Sequence, residues 1–389
     1  MDETDSNPIA ILGFAEEPEE PLPDLAFISK IGGKPNWLHY SKSMKAEDVT
    51  CKSCLKPMIL LLQLYAPEDF PQEAFHRVFY VYICKNGKCH KGPFDECMVV
   101  YRSQLPEINE YYIEKDKIRT ENDESDDDRN SDTESNISDF SEWVVNPEIK
   151  GPIKCVICGL QGTHKCGKCK KQYYCSKEHQ VDDWVSGNHK AHCGTGEVEE
   201  LKNYLFKEYE VLSEPEVIQV NDEQVEEGAL ISTKIDLEEE AEDSEVGVDK
   251  TFLEFQKQME SNPGQVLRYA RNPDFKEDCS PLWVSESGKP YEKAVRKCEL
   301  CGAERKFEFQ IMPQMLNYLE VSSDLRDGID WGTLLVYSCP ENCETMGNIY
   351  AKEVIWRQQF SSDGIGDKYM KASLGLLDES DYNFGDIKI

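Results

Sequence analysis

Eight cysteine and histidine residues between positions 155 and 193 stand in four closely spaced pairs. The pairs are Cys155 and Cys158, Cys166 and Cys169, Cys175 and His179, and His189 and Cys193. Two such residues in one turn can bind the same zinc ion, which takes four ligands in a tetrahedron. A segment this short cannot bury a hydrophobic core, so metal binding would supply its folding free energy. The spacing therefore predicts two closed zinc sites.

Two further sets of four cysteines lie on either side of this segment. The sets are Cys51, Cys54, Cys84 and Cys89, and Cys298, Cys301, Cys339 and Cys343. A Cys-x2-Cys pair also occurs in thiol redox proteins, but the second cysteine pair of each set and the lack of a βαβ pattern favour metal. The sequence thus predicts one more zinc site in each set. In a shorter turn His90 could replace Cys89 as the ligand.

The remaining cysteines and the histidines beside the motif fit structural roles better than ligand roles. Cys97 and Cys279 fall outside the pattern, and a buried, small apolar role suits them. His192 lies beside the last ligand pair and His164 lies in a loop, so both are interpreted as surface residues.

The predicted sites are closed, which argues against catalysis. Four protein ligands leave zinc no position for water or substrate. The sequence also contains none of the motifs HExxH, GxSxG, GxxxxGK(S/T) and GxGxxG. We therefore expect a binding protein and not an enzyme. The catalytic alternative, a thiol oxidoreductase, would have to be active without metal.

The outer cysteine sets belong to an internal repeat, which would position them. Each copy begins with a Cys-x2-Cys turn and continues through an apolar strand and an aromatic-rich strand to a third cysteine, a short turn and a fourth. Such self-similarity indicates related structural units. The predicted fold class is β-rich (α+β), with two related zinc-stabilised β lobes packed together and a small zinc finger inserted between them.

Shifts in composition give the domain boundaries. Two acidic, polar stretches have the composition of disordered linkers. Helical spacing places Phe252, Phe255 and Met259 on one face of a helix at 251–260. Because the linkers contain little apolar sequence that could dock, we expect the finger to move relative to the body. The predicted segments are an N-terminal half at 10–118, an acidic linker at 119–151, the finger at 152–195, an acidic linker with a short helix at 196–250, a C-terminal half at 251–360 and an acidic tail at 361–389.

Net charge limits the possible partners, and the apolar content of the sequence limits the compartment. The chain has 43 Lys and Arg against 75 Asp and Glu, a formal net charge of −32. Such a surface repels nucleic acid and anionic membranes, so we expect neither as a direct partner and a basic protein instead; solubility alone is the alternative explanation. No run of 18 apolar residues occurs, and the acidic start lacks the features of a secretory signal. We therefore expect a cytoplasmic and nuclear protein, where thiols stay reduced.

The middle segment resembles the MYND zinc finger. The resemblance rests on YYCSKEHQVDDW (173–184) followed by HKAHC (189–193). In that family the first and third ligand pairs share one zinc ion, and the second and fourth pairs share the other. MYND fingers bind proline-rich peptides near the second zinc, where Gln180 and Trp184 lie in this chain. The resemblance implies one site of Cys155, Cys158, Cys175 and His179, and a second of Cys166, Cys169, His189 and Cys193.

The outer segments contain seven stretches that can be compared with known families. They are GGKPNWL (32–38), LLLQLYAP (60–67), AFHRVFYVYIC (74–84), YRSQLP (101–106), QVLRYAR (265–271), CELCGAERKFEFQIMPQML (298–316) and DWGTLLVYSCPENC (330–343). Together they resemble the programmed cell death protein 2 family. Members of this family look like dedicated chaperones for a basic protein of the small ribosomal subunit, the universal fifth one, which they shield until it joins the pre-ribosome. The family is also linked to cell growth and apoptosis.

The resemblance implies a zinc-binding chaperone for biogenesis of the 40S ribosomal subunit. An acidic carrier can neutralise a basic client and suppress its non-specific binding to RNA. The alternative is a MYND-type protein–protein interaction adaptor in transcriptional or apoptosis regulation. Five residues could contact a client by their chemistry, although a role as core aromatics is the favoured interpretation. They are Trp37, His76, Tyr80, Trp283 and Trp331.

Overall fold

One long antiparallel sheet organises the folded part of this chain. The computed structural model describes residues 10–115, 143–195, 204–216, 250–271, 280–291, 293–321, 328–343 and 349–360. Its strands are β1 (Ile11–Glu16), β2 (Lys30–Ile31), β3 (Ile59–Tyr65), β4 (His76–Ile83), β5 (Met98–Leu105), β6 (Tyr112–Glu114), β7 (Trp143–Val145), β8 (His164–Lys165), β9 (Tyr173–Tyr174), β10 (Tyr209–Pro215), β11 (Gln265–Tyr269), β12 (Lys306–Ile311), β13 (Thr333–Ser338), β14 (Ala351–Lys352) and β15 (Val354–Gln358). The helices are α1 (Lys177–Val185), α2 (His189–His192) and α3 (Lys250–Ser261), with 3-10 turns at Ala46–Val49, Gln72–Ala74, Gly87–Lys91, Phe94–Glu96 and Pro313–Tyr318.

Eleven strands pair in the order β14-β5-β4-β3-β2-β10-β1-β11-β12-β13-β15. We call β2 to β5 the N-terminal lobe, and β11 to β13 with β15 the C-terminal lobe. β10 and β1 lie between them, so the two lobes share a single sheet. The predicted β-rich fold class with two related lobes is confirmed. β6 with β7, and β8 with β9, form two separate two-stranded ribbons.

The two longest strands of the N-terminal lobe are buried on both faces. Every residue of β4 and of β5 is buried. Aromatic and β-branched side chains, which pack well on a pleated surface, dominate β4. Phe79 of β4 packs edge-on against Phe309 of β12, with ring centroids 5.4 Å apart. The lobes therefore meet face to face in one hydrophobic core.

The sheet curls until its two ends meet. Ala351 and Lys352 of β14 pair with β5 at one end of the sheet. β15 begins two residues later and pairs with β13 at the other end. Between them, the Glu353 amide donates to the Val100 carbonyl at 3.1 Å. Consecutive residues thus join both ends of the sheet into a near-barrel.

Within the predicted acidic linker with a short helix at 196–250, residues 209–215 are instead strand β10 of the sheet, which corrects that prediction. β10 pairs with β1 from Glu210 to Pro215 and with β2 at its start. Val211 is buried and Leu212 is 40% exposed, as expected for the two-residue period of a strand. Its partners are distant in the sequence, so no local pattern indicates them. The rest of the predicted linker, residues 196–203 and 217–249, lies outside the described residues.

The C-terminal part of the predicted acidic linker at 119–151 also forms a strand. Its residues 143–145 are β7, which pairs with β6. Trp143 of β7 packs edge-on against His76, with centroids 5.1 Å apart. Residues 119–142 and the predicted tail at 361–389 lie outside the described residues.

The helix predicted at 251–260 is confirmed as α3. Phe252, Phe255 and Met259 are buried on one face of it. They pack with Val284 and Met312 in a second, smaller core cluster.

The finger packs against the body, contrary to the expectation that it moves on its linkers. The Trp37 indole donates to the Gly159 carbonyl at 3.0 Å, and the Gln161 amide donates to the Met44 carbonyl at 2.8 Å. A Cβ atom at Gly159 would lie only 2.9 Å from the Pro35 ring. The docking surface of the body therefore includes Pro35, Trp37 and Met44. The prediction was wrong because it considered only the linkers.

Candidate metal centres

The described residues bring the sixteen predicted ligands together in four groups of four. Within each group the sulfur and nitrogen donor atoms all lie within 4.8 Å of one another. In the finger, the groups combine the first pair with the third and the second with the fourth, the order that the resemblance implies. Metal binding at each residue stays a prediction. The groups are the N-terminal cysteine group (Cys51, Cys54, Cys84, Cys89), the first finger group (Cys155, Cys158, Cys175, His179), the second finger group (Cys166, Cys169, His189, Cys193) and the C-terminal cysteine group (Cys298, Cys301, Cys339, Cys343).

All four Cys-x2-Cys turns have the same backbone conformation. The residue after the second cysteine adopts the left-handed region, with φ between 57° and 76°. Its amide donates to the carbonyl of the first cysteine at 2.8–3.0 Å. Such a conformation favours glycine, yet glycine occupies only two of the four positions. The four residues are Leu55, Gly159, Lys170 and Gly302.

These turns direct backbone N–H groups at the sulfur atoms. The Ala303 amide lies 3.4 Å from Cys301 Sγ and donates to it. Burial would raise the pKa of the Cys169 thiol, but hydrogen bonds from the Lys171 and Gln172 amides outweigh it and lower the pKa to about 6. Hydrogen bonds to a charged form favour that form. At Cys169 and Cys301 the turns therefore stabilise thiolate, the form of cysteine that binds metal.

The distances between donor atoms fit a tetrahedral zinc ion. Zinc–sulfur bonds of 2.3 Å at tetrahedral angles place two sulfur atoms about 3.8 Å apart. Sγ of Cys54 lies 3.6 Å from that of Cys84, and Sγ of Cys301 lies 3.7 Å from that of Cys339. A disulfide would need about 2.05 Å, and these cysteines are all free. The residues present therefore fit zinc, which would crosslink each turn to a distant strand or helix.

The histidine donors are held by further side chains. His179 Nδ1 lies 3.2 Å from Cys175 Sγ, while its Nε2 is 2.5 Å from the Tyr204 hydroxyl. His189 Nε2 lies 3.6 Å from Cys169 Sγ, and its Nδ1 is 4.0 Å from Asp183. Partners of this kind fix the orientation of a metal-binding imidazole. Sequence reasoning missed both partners; only the short separation of Asp183 from His189 could have indicated one of them.

The alternative ligand His90 does not join the N-terminal cysteine group. Its Nε2 lies 2.7 Å from the Cys84 carbonyl, and burial lowers its pKa to about 4. Cys89 Sγ completes the group instead. Cys97 is fully buried outside the four groups of the described residues, and Cys279 lies outside the described part of the chain.

The groups differ in their exposure. All four residues of the first finger group are buried. Cys301 of the C-terminal cysteine group is exposed. The C-terminal cysteine group is therefore the most accessible to solvent.

Most of the candidate client-contact residues belong to the core. Trp37, His76, Tyr80 and Trp331 are each at most 2% exposed. Only Trp283 is partly exposed. The favoured interpretation of them as core aromatics is confirmed for the four buried residues. A client would have to contact Trp283 or side chains outside this set.

Comparison with known proteins supports the resemblance. Residues 10–119 match “Programmed cell death protein 2, N-terminal domain”, residues 249–359 match “Programmed cell death protein 2, C-terminal putative domain”, and residues 155–193 match “MYND finger”. The chain is 34% identical to programmed cell death protein 2 of Bos taurus over 90% of this chain and 97% of that protein.

More distant relatives match as well. Programmed cell death protein 2-like of Homo sapiens is 26% identical over 81% of this chain and 85% of that protein. A Schizosaccharomyces pombe protein named probable 20S rRNA accumulation protein 4 is 33% identical over 24% of each chain. No solved structure matches the chain.

Proposed function

Since this chain belongs to the programmed cell death protein 2 family, we propose that it is a zinc-binding chaperone that shields a basic small-subunit ribosomal protein, the universal fifth one. The observation that carries the proposal is the net charge of −32 of this chain. The chain is also similar to a protein named for 20S rRNA accumulation. The charge gives the chain a means of holding a basic client away from RNA. The product of this activity would be a client delivered to the 40S ribosomal subunit.

Zinc would have a structural role in this function. The family and its relatives carry no catalytic name, and four protein donors in each group leave no open position for a reaction. We propose four zinc ions, two in the finger and one in each lobe, and no enzymatic activity. Each ion would hold a Cys-x2-Cys turn against a distant element.

The proposal also places the chaperone in the cytoplasm and the nucleus. An acidic protein has no electrostatic attraction to nucleic acid or anionic lipid, so we propose no direct binding to either. Among the described residues, no helix has the length and apolar character needed to cross a bilayer.

The test is co-expression with the universal fifth small-subunit ribosomal protein, followed by size-exclusion chromatography and metal analysis of the same peak. We expect a soluble one-to-one complex with about four zinc ions per chain. Cys51→Ser combined with Cys298→Ser should abolish the complex, because each substitution breaks a cysteine group. The matched control is Cys97→Ser, which changes a buried cysteine outside the groups. A client that aggregates beside a folded, zinc-loaded chain would refute the chaperone proposal.

An exposed apolar face on the finger favours a second function, that of a MYND adaptor for proline-rich peptides. Val181 and Val185 lie one turn apart on α1 and are 51% and 73% exposed. Trp184 is partly buried beside His189, with ring centroids 5.7 Å apart. In the same experiment, Trp184→Ala should leave the ribosomal client bound under the chaperone proposal. Loss of client binding on this substitution alone would indicate that the finger, and not the body, binds the client.

A further inference from the structure

The loop that completes the C-terminal cysteine group inserts a polar side chain into the protein interior. The loop runs from Cys339 to Cys343, and its fourth residue, Asn342, is 1% exposed. Asn342 has φ of 44°, a left-handed conformation that side chains rarely adopt. A strained, buried asparagine between two predicted metal ligands requires contacts that hold it there.

Those contacts come from the other lobe. The Asn342 side-chain oxygen accepts from Arg77 Nη1 at 3.0 Å, its amide donates to Glu68, and its carbonyl accepts from Gln104 Nε2 at 3.0 Å. The Cys343 carbonyl accepts from Arg102 Nη2 at 3.0 Å. Arg77, Arg102 and Gln104 lie on β4 and β5, and Glu68 follows β3. A loop of the C-terminal lobe is therefore bound by the N-terminal lobe.

Beneath the loop lies a buried cluster of four charges. Arg77 Nη2 lies 2.6 Å from Glu308 and 2.8 Å from Glu68, and Arg271 lies 3.0 Å and 2.9 Å from the same two carboxylates. Burial opposes the charge of Arg77, but the Glu308 carboxylate outweighs burial and raises the pKa of Arg77. Buried charges are tolerated only when all their hydrogen-bonding groups have partners.

The loop supplies some of those partners. Arg271 donates to the carbonyls of Cys339 and Pro340 at 3.2 Å and 2.9 Å, and Arg77 donates to Asn342. If the loop moved away, both guanidinium groups would keep their burial and lose acceptors. The position of the loop and the stability of the lobe interface are thus linked.

The corresponding loop of the first repeat copy, which is one residue longer, lacks this arrangement. Asn86 lies between Cys84 and Cys89, but it is exposed, and its side chain accepts only a local bond from the Lys88 amide among the hydrogen bonds described for it, at 3.2 Å. The two cysteine groups are therefore not equivalent, and Asn86 provides a control for Asn342 in the corresponding loop.

We propose that metal binding by the C-terminal cysteine group is coupled to the joining of the two lobes, with Asn342 as the positioning residue. A tetrahedral ion would fix Cys339 and Cys343 and so hold Asn342 against Arg77 and Glu68. Coupling is reciprocal: contacts of Asn342 with the N-terminal lobe raise metal affinity by the same factor. This inference requires zinc in the group but does not depend on the ribosomal client.

The first test is the release of zinc from the full-length chain to a chelator. Asn342→Gly removes the side-chain contacts. Glycine also adopts the left-handed conformation without strain, so a faster release of zinc would come from the lost contacts and not from backbone strain. We expect one of four zinc ions to leave about tenfold faster, within the usual range of coupling free energies. Asn86→Gly should leave all four rates unchanged. If Asn342→Gly does not fold, Gln104→Ala removes one contact from the N-terminal lobe and should show the same direction.

The second test runs in the opposite direction. Cys301→Ser changes the exposed ligand of the C-terminal cysteine group, far from β4 and β5 in the sequence, and amide hydrogen exchange is measured in those strands. We expect faster exchange there, whereas Cys169→Ser in the second finger group should have no effect on them. Unchanged zinc release in Asn342→Gly, unchanged exchange in Cys301→Ser, or a native chain without zinc in this group would each overturn the proposal.

Discussion

At the scale of single residues, the left-handed position after each Cys-x2-Cys pair shapes the cysteine groups. The four turns make the same hydrogen bonds, but different residue types occupy the position. The pattern of cysteines and histidines was enough to predict which residues meet. It could not predict the left-handed residue, because only the two glycines differ from an ordinary turn sequence.

The glycines at this position allow a graded prediction. Gly302→Ala should destabilise the zinc-loaded chain by about 1 kcal/mol, since an added Cβ meets no atom and only the positive φ opposes it. Gly159→Ala should cost more, because its Cβ would also lie 2.9 Å from Pro35. Thermal unfolding with excess zinc measures both.

Gly167→Ala is the control for these substitutions. Gly167 lies inside a Cys-x2-Cys turn at an ordinary φ, and its Cβ would meet nothing within 4 Å. The substitution should be neutral or slightly stabilising. Equal losses at all three positions would show that the left-handed conformation is not the cause.

At the scale of elements, sequence reasoning succeeded where a pattern is local. The strands that carry HRVFYVYI and TLLVYS follow from their apolar and aromatic composition, and the helix face of Phe252, Phe255 and Met259 follows from helical spacing. β10 was missed because acidic residues flank it and its partners, β1 and β2, are about 200 residues away in the sequence. The contact of Tyr204 with His179 was missed for the same reason, because the two residues meet only in the folded chain.

β10 gives a prediction that separates a strand from a linker. Val211→Asp should destabilise the body by about 3 kcal/mol, because it buries an unpaired carboxylate in the middle of the sheet. Leu212→Asp, one residue along, should change stability by less than about 1 kcal/mol, since Leu212 points outward and is 40% exposed. Urea unfolding with zinc present measures both. Equal, small effects would mean that this segment is a linker after all.

At the scale of the whole molecule, the two repeat copies, the inserted finger and the closure of the sheet form one folded body. Composition alone divides the same chain into several segments. β1 from the N-terminal half and β10 from after the finger lie between the lobes. The finger docks on Trp37, and residues of both lobes and the finger share one core cluster. Of the acidic segments predicted from composition, residues 119–142, 196–203, 217–249 and 361–389 lie outside the described residues.

The closure of the near-barrel depends on a second buried ion cluster. Glu353, between β14 and β15, lies 2.9 Å from Arg102 of the N-terminal lobe and 2.7 Å from Arg305 before β12. All three side chains are at most 2% exposed. Removing one partner of a buried ion pair leaves an uncompensated charge, which typically costs about 3–5 kcal/mol.

Glu353→Gln should therefore lower the free energy of unfolding by a similar amount, measured in guanidinium chloride with zinc present. Because the lobes share one sheet, both lobes should unfold in a single transition. Glu299→Gln is the matched control: it removes a 69% exposed partner of the same Arg305, and solvent screening limits its effect to less than about 1 kcal/mol. Two separate transitions, or equal effects of the two substitutions, would mean that the lobes are stable independently and that Glu353 does not hold them together.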